Sequence, residues 1–270
     1  MANNRALILS GGGARAAYQV GVLSAIGKML PKGKPLPFSV LCGTSAGALN
    51  SALLATNAAN YTRAISRLRY VWRHLTPDQV YRVSGSEIVS SLSKVLWSVF
   101  HHGYATGRPL SLLDNEPLRQ LVTQFLDLDQ IAVAINQRHL KALAITAMSY
   151  TTGESTTFFQ GRPELKPWSR SRRMGVVSRI NYEHLLASSA IPTIFPPQKI
   201  GDDYFGDGAM RQHAPISPAL HLGAEKMLVI GVSGNRNPKH WAKREPVRHS
   251  PSIAQITGQL LNSAFIDSLE

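Results

Sequence analysis

The sequence predicts an α/β fold built on a mostly parallel sheet, because strand-like and helix-like segments alternate from its start. A short apolar run at residues 5–10 ends in consecutive glycines, and apolar residues at helical spacing follow it as far as Leu30. A second apolar run at residues 38–42 enters another glycine motif, and an alanine- and leucine-rich helix is predicted at residues 48–55. Two strand–turn–helix units in succession are typical of parallel strands joined by right-handed crossovers.

The middle of the chain predicts helices and then a pair of strands. Apolar residues recur at helical spacing between residues 60 and 128, so we expect this segment to form a helical insertion or cap over the sheet. Strand character returns at residues 140–148 and 156–159. Turn residues at 151–154 lie between these two runs and predict a hairpin.

The last third combines a basic segment with further regular elements. Residues 161–179 are predicted to be a basic loop, which would hold acidic headgroups or lie over the protein as a solvated lid. A short helix is expected at residues 182–189, and the prolines within 191–197 predict an ordered loop near the functional site. A buried strand at 226–232 and a helix at 252–269 complete the pattern.

Length and composition favour one domain. The chain has 270 residues, 44% of them hydrophobic, which is enough for a substantial core, so we expect a single domain spanning residues 1–270. The apolar pattern of the last helix is still open at Glu270, where neither glycine nor proline ends it, and we therefore expect the natural chain to continue. Composition does not predict an oligomeric state.

The balance of charges predicts contact with anionic partners. The chain carries 29 Lys and Arg residues against 16 Asp and Glu residues, a formal net charge of +13. Such a charge attracts acidic lipid headgroups or nucleic acid. Because the sequence contains no zinc finger, helix-turn-helix, RNP aromatic pair or KH loop, we expect peripheral contact with anionic membrane surfaces and no nucleic-acid partner.

Cysteine and histidine usage argues against a metal site or a cofactor. The single cysteine, Cys42, excludes an intramolecular disulfide and a zinc site made of cysteines, and it fits a reducing compartment. The histidines lack the i, i+4 spacing beside carboxylates that marks a zinc-binding helix. The N-terminus has no secretory signal pattern and no apolar run reaches about 18 residues, so the expected location is cytoplasmic or peripheral to a membrane.

The first motif that predicts chemistry is a serine between glycines at the turn from the second strand into its helix. It reads Gly43-Thr44-Ser45-Ala46-Gly47 and matches the G-x-S-x-G pattern of a nucleophile elbow. Small residues allow backbone segments to approach closely, and the N-terminus of the following helix would stabilise an alkoxide or oxyanion at Ser45. A tight strand-to-helix turn that merely tolerates a serine fits the same residues.

A second glycine motif ends the first strand, and it reads Gly11-Gly12-Gly13-Ala14-Arg15. The backbone N–H groups of this loop would converge on a developing oxyanion, and Arg15 would add positive charge or fix the loop. A dinucleotide-binding turn would need glycine at the position of Ala16, and a P-loop would need Gly-Lys-Ser/Thr. The glycines by themselves fit a phosphate-binding turn or a plain tight turn equally well.

A third motif, Asp207-Gly208-Ala209, places a lone carboxylate in a glycine-rich turn. Taken alone, it is better explained as an Asp-Gly hairpin turn than as part of a functional site. A rival interpretation is a Ser–His–Asp triad on an α/β-hydrolase fold, with His213 as its base. That fold has several strands before the elbow, whereas one clear strand precedes Ser45 here, so we expect a structural role for His213.

Taken in order, these motifs resemble the patatin-like phospholipase family. The resemblance rests on both glycine motifs, on Ser188-Ser189-Ala190-Ile191-Pro192 with Phe195-Pro196-Pro197, and on Asp207-Gly208-Ala209. It extends over residues 5–234 and implies a three-layer α/β/α fold. Similar proteins usually continue the first glycine loop with glycine after the basic residue, where this chain has Ala16, so we expect altered packing of that loop.

The resemblance also implies an activity. Asp207 would accept the proton of Ser45, the serine would attack a carboxylic ester of a phospholipid or another lipid, and water would hydrolyse the acyl-enzyme. The N–H groups of the loop from Gly11 to Ala14 would hold the oxyanion. The reaction would be that of a phospholipase A, a lysophospholipase or an esterase. The alternative from another functional class is a catalytically idle module that binds a membrane or a partner on the same scaffold.

Overall fold

A mixed sheet forms the centre of the structure, a computed structural model that describes residues 4–82, 111, 113–212 and 214–232. Its strands are β1 (Arg5–Leu9), β2 (Val40–Thr44), β3 (Ala142–Ser149), β4 (Ser155–Gly161), β5 (Trp168–Arg170), β6 (Arg173–Val177), β7 (Gln198–Ile200), β8 (Asp203–Asp207) and β9 (Lys226–Ile230). They lie in the order β5-β6-β4-β3-β2-β1-β9, and β8 pairs with both β3 and β7. The central strands β9, β1, β2 and β3 are mutually parallel.

Helices lie against the sheet and in the connections between its strands. They are α1 (Ala17–Met29), α2 (Ala46–Ala55), α3 (Tyr61–His74), α4 (Glu116–Phe125), α5 (Asp129–Asn136), α6 (Tyr182–Ser188) and α7 (Ser217–His221), with short 3-10 turns at Gly13–Ala16, Pro77–Gln79 and Gly208–Met210. The predicted α/β fold with a central, mostly parallel sheet and flanking helices is confirmed, and it is consistent with the three-layer α/β/α arrangement that the resemblance implies.

Strands β1 and β2 are almost wholly buried because both faces of the sheet are covered there. Leu7 and Leu9 of β1 point into the main core, which α1, α2 and α3 also line, whereas Ala6 and Ile8 point into a smaller core shared with α7. Side chains on a strand alternate between faces, so a strand that is buried on both sides shows a continuous apolar run instead of alternation.

The helical predictions for the middle of the chain are confirmed at both ends of that segment. Helix α3 carries Tyr61, Ala64 and Leu68 into the main core, and α4 carries Leu118 and Val122 into the same core. Residues 83–110 lie outside the described residues, and so does the predicted helix at 252–269. The limits of the helical insertion, and of the single domain, therefore stay predictions.

The prediction of a loop over residues 161–179 is wrong. This segment forms the antiparallel hairpin of β5 and β6, whose turn contains Arg172 at a φ of 59°, and β6 extends the sheet by pairing with β4. The ring of Trp168 lies so close to Gly175 that a Cβ there would approach it to 2.3 Å. Edge strands often carry charged side chains, so the arginines of this hairpin gave it the composition of a solvated loop and no visible strand pattern.

The neighbouring hairpins follow the sequence pattern more closely. Strands β3 and β4 pair antiparallel, as the turn residues between them predicted. Strands β7 and β8 form a second hairpin around Gly201, which has a φ of 62°. This hairpin was not among the predicted strands, because three- and five-residue strands beside prolines leave little pattern to detect.

Candidate active site

Ser45 occupies a strained turn between β2 and α2. Its backbone has a φ of 54° and a ψ of −129°, which is rare for a residue with a side chain. The glycines on either side have no space for a Cβ: at Gly43 it would lie 2.5 Å from the carbonyl oxygen of Gly47, and at Gly47 it would lie 2.2 Å from that of Leu9. Both glycines are therefore required by packing, as a nucleophile elbow demands.

This contact predicts that Gly47→Ala destabilises the protein. The added methyl group would overlap the backbone of β1, and overpacking of this kind costs about 1–3 kcal/mol of unfolding free energy. Urea unfolding of the purified variant measures the loss. The matched control is Gly21→Ala in α1, where a Cβ meets nothing within 4 Å and where alanine is expected to add about 0.5–1 kcal/mol. Equal stabilities of the two variants would contradict the expected overlap.

Asp207 lies at the end of β8 and faces Ser45. The Ser45 hydroxyl donates a hydrogen bond of 2.7 Å to Oδ2 of Asp207, and the Ala209 N–H donates one of 2.9 Å to Oδ1. No imidazole stands between the hydroxyl and the carboxylate, and His213 lies outside the described residues. The two residues that the sequence singled out as nucleophile and base are thus in direct contact.

The register of β3 explains why residues so far apart in the chain meet. Thr44, the last residue of β2, pairs with Thr146 of β3, and the next residue of β3, Ala147, pairs with Asp207. Strand β4 occupies the other edge of β3, so β2 and β8 share one edge and meet end to end. Ser45 directly follows Thr44 and therefore lies beside Asp207.

Burial changes the acidity of the Asp207 carboxyl. Its side chain is 0% exposed, and removal from water raises the pKa to about 7, while the hydrogen bonds from Ser45 and the Ala209 N–H act in the opposite direction. A carboxylate with a raised pKa holds a proton more tightly than one in water. Asp207 can therefore take a proton from a serine hydroxyl more readily than an ordinary surface aspartate can.

Two further polar side chains hold the elbow in place. The Ser188 hydroxyl accepts a hydrogen bond of 2.9 Å from the Ser45 N–H and donates one of 2.6 Å to the Thr146 carbonyl oxygen. The Thr44 hydroxyl donates to Oε1 of Gln212, whose Nε2 lies 3.3 Å from the Thr146 hydroxyl. Ser188 belongs to the segment Ser188-Ser189-Ala190-Ile191-Pro192, on which the resemblance also rests. The sequence carries no signal for Gln212, since a glutamine in a loop usually faces water.

The first glycine loop lies next to the nucleophile. A Cβ at Gly11 would be 3.0 Å from Cβ of Ser45 and 3.2 Å from Cβ of Ala209, so the loop packs on both motifs. Gly12 and Gly13 have φ values of 154° and 54°, where glycine is favoured. Ala14 and Arg15 are exposed in the 3-10 turn that follows. The loop has the predicted position, and its role as an oxyanion hole remains a prediction.

A series of side-chain hydrogen bonds supports the residue that precedes this loop. Nε2 of Gln19 donates to the Ser10 carbonyl oxygen at 2.8 Å, and Nδ2 of Asn50 donates to Oε1 of Gln19 at 2.9 Å. The indole N–H of Trp72 in turn donates to Oδ1 of Asn50 at 2.8 Å. Ala16, the departure from the family pattern, is fully buried beside these side chains. The sequence pattern did not single out these residues, because polar residues in helices usually face water.

The acid motif is also shaped by close packing. A Cβ at Gly208 would lie 2.2 Å from the Thr146 carbonyl oxygen, so the chain after Asp207 passes directly over β3.

Among the residues that the structure describes, no three His, Cys, Asp or Glu side chains are placed to hold a metal ion. Within the same residues, no helix has the length and apolar character needed to cross a bilayer.

Comparisons with known proteins agree on one family. The family model described as patatin-like phospholipase matches residues 7–220. A curated protein of Pseudomonas aeruginosa, named cGAMP-activated phospholipase, is 27% identical over 217 residues, which cover 80% of this chain and 55% of the relative. A Vibrio cholerae protein of the same name is 25% identical over 230 residues, 80% of this chain and 57% of the relative. The chain thus spans about half the length of these relatives.

Solved structures that are similar to this chain include VipD from Legionella pneumophila, with a TM-score of 0.40 and 16% sequence identity. The match covers 76% of this chain and 45% of VipD.

Proposed function

The chain belongs to the patatin-like phospholipase family, and we propose from this premise that it hydrolyses carboxylic esters of lipids through an acyl-enzyme on Ser45. Family membership supports a lipid acyl-hydrolase in general terms. The particular mechanism rests on one observation, the hydrogen bond of 2.7 Å from the Ser45 hydroxyl to a fully buried carboxylate. Phospholipids and other lipid esters are the proposed substrate class.

The proposed reaction has two halves. In the first, the Ser45 proton passes to Oδ2 of Asp207 while Oγ attacks the ester carbonyl carbon, and the leaving alcohol then takes that proton as its C–O bond breaks. In the second, water gives a proton to Asp207 and attacks the acyl carbon, and Ser45 leaves with the proton restored. In both halves, N–H groups of the loop from Gly11 to Ala14 stabilise the oxyanion.

A fluorophosphonate probe tests the proposal directly, because it phosphonylates an activated serine. We expect the parent to be labelled on the peptide that contains Ser45, and Ser45→Ala to remain unlabelled. The matched control is Ser66→Ala, an exposed serine of α3, which should be labelled like the parent. A folded parent that is neither labelled nor active on any lipid ester would favour the idle binding module instead.

The raised pKa of Asp207 predicts a pH dependence of the rate. Only the ionised carboxylate can accept the Ser45 proton, so kcat/KM should rise with pH through about 7 and reach a plateau above it. Below that range the carboxyl is protonated and the rate should fall about tenfold for each pH unit. Steady-state assays with a soluble ester between pH 5 and 9 measure this. A profile that stays flat across that range would contradict Asp207 as the base.

The positive net charge predicts salt-sensitive binding to membranes. We propose that the protein contacts anionic membrane surfaces peripherally, since its formal net charge is +13. Binding to vesicles rich in an anionic phospholipid should weaken as salt rises, because exposed charges are screened beyond about 10 Å at 0.1 M ionic strength. Co-sedimentation at increasing NaCl, with phosphatidylcholine vesicles as the control, measures this. Salt-independent binding would indicate insertion of apolar residues instead.

A further inference from the structure

A cavity of about 170 Å³ lies beside the hairpin that was predicted to be a loop. Its walls include Ser155 and Thr157 of β4, Arg173 of β6, and Arg211 and Gln212 of the segment after the acid motif. The function proposed above makes no use of this cavity. Its lining combines guanidinium and hydroxyl groups, which together form a typical anion-binding set.

The cavity is on the opposite face of the sheet from the Asp207 carboxylate. Directly paired residues of antiparallel strands share a face, so Asp207, Ala147 and Thr156 point to one side. Side chains alternate along a strand, so Ser155 and Thr157 point to the other side. A lipid that reaches Ser45 from the face of the sheet where the Asp207 carboxylate lies therefore does not place its headgroup in this cavity, which opens on the other face.

The electrostatic environment of the cavity is strongly positive. Arg172, Arg173 and Arg211 all line it, and its lining contains no Asp or Glu among the described residues. None of these three arginines forms an ion pair with a carboxylate in the described part of the chain. Nε of Arg173 is buried and has no hydrogen-bond partner there. A buried guanidinium N–H without a partner is costly, so this group points to a missing acceptor.

The adjoining histidine responds to the same field. Burial, and then the charges of Arg170 and Arg173, lower the pKa of His221, so these surroundings disfavour a positive charge on its imidazole. Trp168 already stacks on Phe159 and His221, at centroid distances of 5.0 and 4.8 Å. Because the indole ring of Trp168 is already stacked on these two rings, we do not assign it a stacking contact with a ligand. The groups that the cavity offers to a ligand are its guanidinium and hydroxyl groups.

The volume limits what can enter. Water occupies about 30 Å³ per molecule in the liquid, so the cavity has room for a group the size of several waters. It is smaller than the roughly 300–1,000 Å³ of pockets that enclose a whole drug-sized ligand. A compact anion therefore fits inside, while the remainder of a larger ligand would extend through the opening.

We propose that this cavity binds a phosphate group, held by Arg172, Arg173 and Arg211 and by the hydroxyls of Ser155 and Ser171. Arginine suits phosphate because its planar fork donates two parallel hydrogen bonds to neighbouring oxygens. Gln212 forms part of the cavity wall and also accepts the hydrogen bond of Thr44, so a bound phosphate lies one side chain away from the nucleophile elbow. The phosphate belongs either to a soluble compound or to a lipid headgroup.

Calorimetric titration with sodium pyrophosphate tests the site. We expect saturable binding to the parent and at least about tenfold weaker binding to the double variant Arg173→Gln/Arg211→Gln, because hydrogen bonds from charged groups are lost. The matched control, Arg63→Gln/Arg69→Gln, removes the same charge from exposed positions of α3 and should bind like the parent. Ligand-free melting curves check folding, and Arg211→Gln alone replaces the double variant if that one does not fold.

Vesicles distinguish the two sources of the phosphate. The Ser45→Ala protein is mixed with vesicles of phosphatidic acid or of phosphatidylcholine, so that binding is measured without hydrolysis. If the source is a headgroup, phosphatidic acid vesicles displace pyrophosphate; if it is soluble, pyrophosphate binds and the vesicles do not displace it. Unchanged pyrophosphate binding in the cavity variant, or no saturable binding of either probe to the parent, overturns the proposal. Neither result depends on whether Ser45 is the nucleophile.

Discussion

Ser45→Ala is expected to lower the rate of lipid ester hydrolysis at least about 10³-fold, because it removes the atom that forms the acyl-enzyme. The fold should be retained. Alanine also has a Cβ, so it places no new atom in the turn, and the backbone conformation at a φ of 54° is as strained with alanine as with serine. Asp207 loses the hydrogen bond that lowers its pKa, so its carboxyl should hold a proton more tightly than in the parent.

Steady-state assays on a fluorogenic ester and on phospholipid vesicles measure this loss, with circular dichroism and melting curves to check the fold. The matched control is Ser51→Ala in α2, the helix that follows Ser45. Ser51 is fully buried, and its hydroxyl has no hydrogen-bond partner in the described part of the chain, so its removal should leave activity at the parental level and should not lower stability. A folded Ser45→Ala protein with parental activity would exclude Ser45 as the nucleophile.

Asp207→Asn is expected to lower kcat by about 10²- to 10⁴-fold, the usual contribution of a general base. The hydrogen bonds around the carboxyl explain why an amide cannot replace it. Oδ1 accepts from the Ala209 N–H, so in asparagine the amide oxygen keeps that bond and the NH₂ group faces the Ser45 hydroxyl. A group that can only donate cannot take the serine proton.

The free energy of unfolding of Asp207→Asn should also depend on pH differently from that of the parent. In the parent, folding raises the pKa of Asp207 from about 3.8 to about 7, so the folded state binds the proton more tightly and loses stability as pH rises across this interval. Asparagine has no such titration. The stability of Asp207→Asn relative to the parent should therefore increase between pH 4 and pH 8, as measured by urea unfolding.

Asp202→Asn is the control for both measurements, because Asp202 is an exposed residue in the turn just before β8. It should change neither the rate nor the pH dependence of stability. A fully active Asp207→Asn protein would refute Asp207 as the base for Ser45 and would favour His213 in that role instead.

The elements with a strong local pattern were predictable from the sequence. The helix from Ala17 to Met29 and the strand from Arg5 to Leu9 follow directly from apolar spacing. The hairpin of β5 and β6 was not predictable, because its strands exist through pairing with β4 and through the packing of Trp168 on Gly175. Such contacts join segments whose own composition favours a solvated loop.

The residues of the candidate site also fall into those that the sequence identified and those that only the folded structure places there. Ser45, Asp207 and the glycine loop were identified by motif and resemblance, and their catalytic roles stay predictions. Ser188 was quoted as part of a motif, but its hydrogen bond to the Ser45 N–H depends on where α6 packs. Gln212 had no signal at all, since only the fold brings it under Thr44.

The sequence by itself determined the local requirements of this protein. It placed small residues where the chain turns sharply, and it placed apolar runs where strands are buried on both faces. The tertiary structure alone decided that a hydroxyl and a carboxylate 162 positions apart come within hydrogen-bonding distance, and that three arginines surround one cavity. The physical reason is that local patterns reflect the energetics of neighbouring residues, whereas strand register depends on long-range burial and pairing, which one stretch of sequence does not specify.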